Sequence, residues 1–385
     1  MSHGQSPLVI VCTTAYLPAI GGAELAIYEI AKRSPALRFL IVTSRFSRKV
    51  PKHEKTGNIE VSRVGFGIGL DKWFLPLWGG FIAFWRARRE PKALLWGMMV
   101  SQGTIAALVV KTLSPRIPFV LTLQEGDAPD YLQRGRGGLI WFFWKRALKR
   151  ANQVTAISKY LQGLASEAGR SDVHLVPNGV DVESFSKRDE DATHAIRAKH
   201  GISDSDIVIL SVSRLVIKNG LNDLIGAFAI FLRTHSNAKL LLVGEGSERS
   251  KLETLVKNDG VADRVIFVGA VAPRDIVPYF HAAQVFVRPS LSEGMGNVFI
   301  EAMAAGIPVV ATGVGGIADF VKDGQTGIIV SVGDVQNIAE GIARVVSDPD
   351  LQKNLTHNAF AMVERRYEWD LIAKQMNQIF TETLL

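Results

Sequence analysis

The run RPSLSEGMGNVFIEAMAAGIPVVATGVGG, residues 288 to 316, joins a polar loop, a short helix and a buried strand. Glu293 ends the loop, and Gly294, Met295 and Gly296 follow it. From Asn297 apolar residues recur at helical spacing, Val298, Phe299, Ala302 and Met303, while Glu301 points elsewhere. A helix therefore starts directly after two glycines. The first N–H groups of a helix have no partner within it, glycine lets another molecule approach, and the dipole favours an anion there by about 0.3–1 kcal/mol. Phosphate suits such a place. Glu293 and Glu301 flank it, and carboxylates accept hydrogen bonds from hydroxyls, which a sugar nucleotide carries on both sides of its phosphates. A plainer reading stays open on these residues alone: a glycine loop capping a core helix, with two solvated glutamates.

Outward from this run, short apolar stretches alternate with helical patterns, twice over. In the first half, strands are expected at 8–14 (LVIVCTT), 38–43, 59–64, 93–97, 118–123, 153–157 and 173–176, with AELAIYEIAKR, 23–33, as the first helix. Such alternation implies parallel strands joined by right-handed crossovers. Gly21 and Gly22 precede the first helix, at the carboxyl end of the first strand, where open parallel sheets bind ligands. FVLTLQEGD, 119–127, is a buried strand that runs out into Gln124, Glu125 and Asp127, which either line a site or make a plain turn. HLVPNGVDVESFSKRDEDATHAIRAKHG, 174–201, breaks the pattern with Pro, Asn-Gly and a charged run, so it reads as a linker. Beyond it IVILSVSRL, 207–215, opens a second alternating domain. Arg214 and Lys218 stand at its strand end, and Arg can hold two phosphate oxygens with its planar fork while Lys offers a point charge. KLLLVGEGSERSKLE, 239–253, places Gly244 in a glycine loop, and RVIFVGAV, 264–271, ends at Gly269 to Val271, whose backbone groups suit a nucleotide base.

The chain has 385 residues, 47% hydrophobic and 21% charged, the profile of a folded two-domain enzyme. One cysteine, Cys12, rules out an internal disulfide framework and the usual multi-cysteine zinc sites. MSHGQSPLVIVC has no basic region before its apolar run, so the expectation is no signal peptide and a cytoplasmic protein. The net charge of +7 is unevenly placed: residues 1–175 hold 24 Lys and Arg against 11 Asp and Glu, a balance of +13, and the remainder 20 against 26, or −6. A basic first half calls for an anionic partner. Residues 93–110 carry no charge for 18 positions, a length at which a membrane span becomes thinkable, but SQGT interrupts them, so a strand, a loop and a core helix are expected. WFLPLWGGFIAFWRARR, 73–89, and LIWFFWKRALKR, 139–150, set Trp and Phe beside clustered Arg and Lys. Core packing and a membrane interface both remain open for these rings, and the basic balance favours peripheral contact with an anionic membrane. No compact recognition motif accompanies the charge, so no nucleic acid is expected.

The segment SEGMGNVFIEAMAAGIPVVAT resembles the signature of family 4 of the retaining glycosyltransferases, SEGxGxxxxEAMAxGxPVVAT, over more than a dozen positions in one register. The resemblance implies a GT-B fold, two Rossmann-like α/β domains facing across a cleft. It places an acceptor-side domain at 1–177, a linker region at 178–200, a nucleotide-sugar domain at 201–364, and a helix at 365–385 crossing back onto the first domain. By the same resemblance Glu301 is the acid that binds the ribose and Glu293 the acid that reaches the donor sugar. The amides around Gly294, Met295, Gly296 and Asn297 hold the diphosphate, Gly21 and Gly22 approach it from the other domain, Arg214 and Lys218 neutralise it, and Gly244, Gly269 and Val271 lie by the nucleotide. The chain departs from the family in three places. Gln124 fills a position commonly His and cannot take a proton; Met295 stands where Phe or Leu is frequent; and Lys218 falls one position early, with Asn219 directly before Gly220.

The expected activity is therefore retained-configuration transfer from a UDP- or GDP-type sugar to a glycan or lipid-linked acceptor. No metal or other cofactor is expected, because no Asp-any-Asp motif presents itself and a leaving diphosphate can be stabilised by cations and a helix N-terminus. Gln124 joins Glu293, Arg214 and Lys218 in the expected catalytic set, with no general base assigned. A nucleotide-sugar 2-epimerase and a non-catalytic sugar-nucleotide-binding protein are the alternatives. A nicotinamide dehydrogenase would need GxGxxG after the first strand, which AYLPAIGGAE does not supply.

Overall fold

A computed structural model describes residues 6–19, 21–127 and 129–385. The opening MSHGQ, part of the stretch read for a signal peptide, lies outside the described residues, as do Ile20 and Ala128. The chain divides into two compact units: residues Met1–Asn178 with Trp369–Leu385, and Gly179–Glu368.

The first unit is built on an eight-stranded sheet. Its strands are β1 (Leu8–Cys12), β2 (Arg38–Ser44), β3 (His53–Thr56), β4 (Ile59–Val64), β5 (Ala93–Met98), β6 (Phe119–Leu123), β7 (Gln153–Ala156) and β8 (Val173–Leu175). They lie in the order β3-β4-β2-β1-β5-β6-β7-β8. The expected strands are all present because a parallel strand covered on both faces reads as an unbroken apolar run: every residue of LVIVC in β1 is buried. Cys12 is among them, and burial pushes its thiol up to about 12. β3 is the exception. HEKT is exposed throughout and pairs antiparallel with β4 at the sheet edge, so no apolar pattern announced it. Residues 93–110 form β5 and then the helix Gln102–Leu113, and among the described residues no helix is long and apolar enough to cross a membrane.

The second unit carries β9 (Ile207–Val212), β10 (Ala238–Val243), β11 (Val265–Gly269), β12 (Val285–Arg288), β13 (Val309–Thr312) and β14 (Ile328–Val330). Their order, β11-β10-β9-β12-β13-β14, is the doubly wound one, and its direction reverses between β9 and β12. All its pairings are parallel.

The stretch 178–200 is not the linker that its Asn-Gly and charges, just after Pro177, suggested. It holds the helices Val182–Ser186 and Glu190–Lys199, capped by Asp181 and Asp189 side chains that accept from Ser184 and Ala192 N–H groups. Both helices belong to the second unit, which starts at Gly179 rather than at 201. The acids that resemble a solvated run are caps and first-turn residues. The Val180 N–H donates to the Tyr367 carbonyl at 2.7 Å, so the two stretches that leave this unit lie side by side.

The last helix begins at Trp369 and not at 365, since Arg365 and Arg366 close the preceding helix Pro349–Arg366. It rejoins the first unit. Trp369, Ile372, Met376, Ile379 and Phe380 fall on one face by their three- and four-residue spacing and enter a core with Val9, Phe39 and Trp96. The Phe380 ring meets Trp96 edge-on at 5.1 Å and Phe39 at 6.3 Å. Phe380→Ala is expected to cost about 3–5 kcal/mol, the usual loss for a buried ring. Urea denaturation checks it: a shift below about 1 kcal/mol would show that the helix is dispensable to the first unit.

Candidate active site

In the second unit the reversal between β9 and β12 leaves a crevice at the carboxyl ends of both strands, the place where open α/β sheets take ligands. Two loops meet there. The first follows β9 and carries Arg214, exposed, and Lys218, half-buried. Its course is set from inside: buried Asn219 donates its side-chain amide to the Arg214 carbonyl at 2.6 Å, which accounts for Asn in the position before Gly220. The second follows β12 and carries Glu293. The Leu291 N–H donates to the Lys218 carbonyl at 2.7 Å, so the expected cations and the expected acid are fastened to one another through the backbone.

Arg288, the last residue of β12, is not among the residues that the sequence singles out, yet it organises this loop. It is 5% exposed and its guanidinium pairs with Glu293 Oε2. Its Nε donates to Ser290 Oγ at 3.1 Å, and the group lies 4.5 Å over the Phe299 ring. Burial lowers its pKa, and the negative charges of Glu293 and Glu301 oppose that fall. An Arg opening a loop with two carboxylates five and thirteen positions on was the signal available, but nothing in one sequence says that they share a centre.

Two glycines make room for the arrangement. Gly296 has φ 88, and a Cβ there would stand 2.7 Å from the Phe299 ring and 3.1 Å from the guanidinium. Gly315 lets the next strand–loop connection press against the acid's own backbone: a Cβ there would lie 1.8 Å from the Glu293 carbonyl, which also accepts from Gly316 N–H at 3.2 Å.

The helix Asn297–Ala304 starts as expected, with Gly296 at its cap and no side chain closing its N-terminus. Not every amide of the expected diphosphate grip is disposed alike. Gly294 N–H donates to Glu293 Oε1 at 3.2 Å, and Gly294 and Met295 are buried, whereas Gly296 and Asn297 are half-buried. Glu301 sits one turn into this helix. Burial pushes its carboxyl up to about 7, while Arg288 pulls it down.

Gly244 lies in the loop after β10, against Ser213 and so beside the Arg214 loop. Its N–H donates to the Gly269 carbonyl at 2.8 Å. That carbonyl thus accepts within the sheet, and beyond it Ala270 is exposed and Val271 half-buried.

In the first unit Gly21 and Gly22 are exposed at the start of the helix Gly22–Lys32, beyond the carboxyl end of β1. Gln124 follows β6 and forms a reciprocal amide pair with buried Asn178: Nε2 donates to Oδ1 at 3.0 Å and Asn178 Nδ2 donates back at 3.3 Å. The pairing holds the end of β6 to the last residue of the unit's first segment. Its neighbour Glu125 is buried, and Oε1 accepts from Val100 N–H at 2.8 Å. Burial raises its pKa, which the Val100 hydrogen bond opposes. Asp127 is exposed. Among the described residues no group of three or more His, Cys, Asp or Glu could hold a metal ion.

Comparison with known proteins adds two family matches. Residues 192–362 match the family model described as glycosyl transferases group 1, and residues 20–184 match glycosyltransferase family 4. A Corynebacterium glutamicum GDP-mannose-dependent monoacylated α-(1-6)-phosphatidylinositol monomannoside mannosyltransferase is 32% identical over 392 residues, covering 98% of both chains. The N-acetyl-α-D-glucosaminyl L-malate synthase of Bacillus anthracis is 29% identical over 288 residues, covering 74% of this chain and 73% of that one. Among solved structures, sucrose-phosphate synthase from Thermosynechococcus elongatus superposes with a TM-score of 0.84 at 24% identity, over 98% of this chain and 99% of that chain.

The Arg288 centre makes two outcomes measurable. Arg288→Met strips Glu293 of its partner and should destabilise the second unit by about 3–5 kcal/mol, with Arg288→Met/Glu293→Gln recovering part of it in a denaturation cycle. Glu301 has a raised pKa, so the folded state holds its proton between the ordinary carboxyl value of 4.5 and about 7, where the unfolded chain has lost it. Its contribution to stability therefore falls as pH rises through that window. Glu301→Gln should gain on the wild type as pH rises from 4.5 to 7; parallel stability curves would refute the assignment.

Proposed function

Because the chain belongs to the family 4 glycosyltransferases of GT-B fold, we propose that it moves a sugar from a nucleotide-diphosphate sugar, of UDP or GDP type, to a glycan or lipid-linked acceptor. In this reading the anomeric configuration is retained and no metal ion takes part. The observation that carries it is the fastening of the Arg214–Lys218 loop to the Glu293 loop at the sheet reversal of the second unit. Two cations and a helix N-terminus that no side chain caps, on loops that meet at this crevice, support a diphosphate as the guest, with two acids on the same loop and helix.

The donor diphosphate lies on the Gly296–Asn297 turn, with Arg214 and Lys218 against its oxygens. Glu301 accepts from the ribose hydroxyls in its ionised form. Glu293, its carboxylate held by Arg288, accepts from hydroxyls of the sugar to be moved. The bond between the anomeric carbon and the diphosphate oxygen breaks, and the electron pair leaves with the nucleoside diphosphate, whose growing charge the two cations stabilise. The acceptor oxygen bonds to the anomeric carbon from the leaving-group face, and its proton passes to the departing phosphate oxygen. Gln124 is held by Asn178 and takes no proton. The GDP-mannose and lipid acceptor in the name of the Corynebacterium relative support a GDP donor and a lipid-linked acceptor. The basic first unit supports peripheral work on the anionic inner face of a membrane.

A panel of UDP-, GDP- and ADP-sugars, with EDTA present, tests this by released nucleotide and by thermal shift. One donor should stabilise the protein and be slowly hydrolysed without metal. Glu293→Ala and Arg214→Ala should each lower kcat/KM by about 10²–10³-fold. Full turnover in Glu293→Ala would overturn the site. Donor consumed to an isomer without acceptor would point to the epimerase, and a thermal shift with no turnover of any acceptor to a non-catalytic binder.

A further inference from the structure

A UDP sugar and a GDP sugar differ at the base, and the carboxyl ends of β10 and β11 hold a carboxylate that the transfer chemistry does not use: Glu245, exposed in the loop after β10. Neighbouring strands lie about 4.8 Å apart, so along the order β12-β9-β10-β11 the end of β11 stands roughly 14 Å from the end of β12. A nucleotide whose diphosphate lies on the Gly296–Asn297 turn, with Arg214 beyond β9 against it, runs towards β10 and β11 with its base.

Glu245 is fixed through both its backbone and its side chain. Its carbonyl accepts from Leu215 N–H at 3.0 Å, which ties it to the residue after Arg214. Gly244 before it donates to the Gly269 carbonyl, just past the point where the pairing of β10 with β11 slips register between Leu242 and Val243. Such irregularities re-aim the side chains that follow them. Gly269 has φ 85, and a Cβ there would stand 3.2 Å from Glu245 Oε1, so the carboxylate lies against the bare end of β11. The Arg249 guanidinium pairs with that same oxygen, donates from Nε to Glu253 Oε1 at 2.8 Å, and lies 5.6 Å over the Phe267 ring of β11. An exposed ion pair adds little to stability. This one sets the direction of the carboxylate, whose Oε2 takes no hydrogen bond among the described residues.

The bases differ in what their edges offer an acid. Guanine presents two adjacent donors, N1–H and N2–H, which the two oxygens of one carboxylate accept together. Uracil presents a single N3–H between two carbonyl oxygens that repel the acid, and adenine sets the acceptor N1 beside its amino group. We propose that Glu245 reads the base of the donor and selects guanine over uracil and adenine, with Arg249 as the residue that positions its carboxylate. The inference rests on the transferase reading and narrows its donor to the GDP type.

Calorimetric titration of the full chain with GDP, inosine diphosphate, UDP and ADP tests it. Inosine diphosphate is GDP without the N2 amino group, so it keeps one of the two donors and loses the other. The wild type should bind GDP about tenfold or more tighter than each of the other three. In Glu245→Ala the advantage of GDP over inosine diphosphate should vanish. Arg249→Met should lower that advantage by about two- to fivefold, the worth of an exposed ion pair, and Arg249→Lys should restore most of it. A merely structural part for either residue would change the affinities together and leave their ratio alone. Glu245 is exposed and Arg249 half-buried, and thermal unfolding confirms that each variant is folded. A wild type that binds UDP or ADP best, or GDP and inosine diphosphate alike, would overturn the proposal, as would a Glu245→Ala variant that keeps the wild-type ratio. Binding of none of the four nucleotides removes the transferase reading and this inference with it, whereas binding without base preference removes the selection by Glu245 alone.

Discussion

A guanidinium withdrawn from water has to be met by negative charge and hydrogen-bond acceptors, or its burial is prohibitive. Arg288 meets that demand with Glu293, Ser290 and the face of Phe299, and the loop that follows β12 takes its shape from doing so. The left-handed turn at Gly296 leaves room for the charge, the helix starts where that turn ends, and Phe299 on its first turn lies under the guanidinium. Glu293 is thereby held from its side chain by Arg288 and from its carbonyl by Gly316. An acid so fixed needs no rearrangement to accept a hydroxyl, which is the kind of preorganisation that a transferase handling a charged leaving group requires.

The two carboxylates of this centre are not equivalent. Glu293 is paired with the cation directly, whereas Glu301 feels it only across space, and desolvation dominates its pKa. That raised pKa means that an ionised Glu301 is poised to gain from hydroxyl donors, since each one replaces hydration that burial removed. One acid lies on a loop and is clamped by its partners, and the other stands on the helix Asn297–Ala304.

The first unit is arranged differently. Its sheet end carries the neutral Gln124–Asn178 amide pair and a buried Glu125, and exposed cations such as Arg88, Arg89, Lys145, Arg146 and Lys149 stand on its outer helices. The Gln124 amide exchanges no proton in this pairing.

Local pattern and motif were enough to establish the two α/β halves, nearly every strand, the helix start at Gly296–Asn297 and the family. Buried parallel strands read as continuous apolar runs and helix faces as regular spacings, and these are written in neighbouring residues. Edge strand β3 is illegible because an exposed HEKT buries nothing, and the capped helices at 182–199 read as a linker because capping acids look like solvated charge. Tertiary structure alone decided that Arg288 faces Glu293, that Asn178 clasps Gln124 from 54 positions away, and that the rings of two separate helices lie in one layer. These are pairings between residues whose own sequence neighbourhoods are silent about each other. They form because burial forces each polar group to find a partner and each helix to share a sheet face, and that choice exists only once the chain has folded.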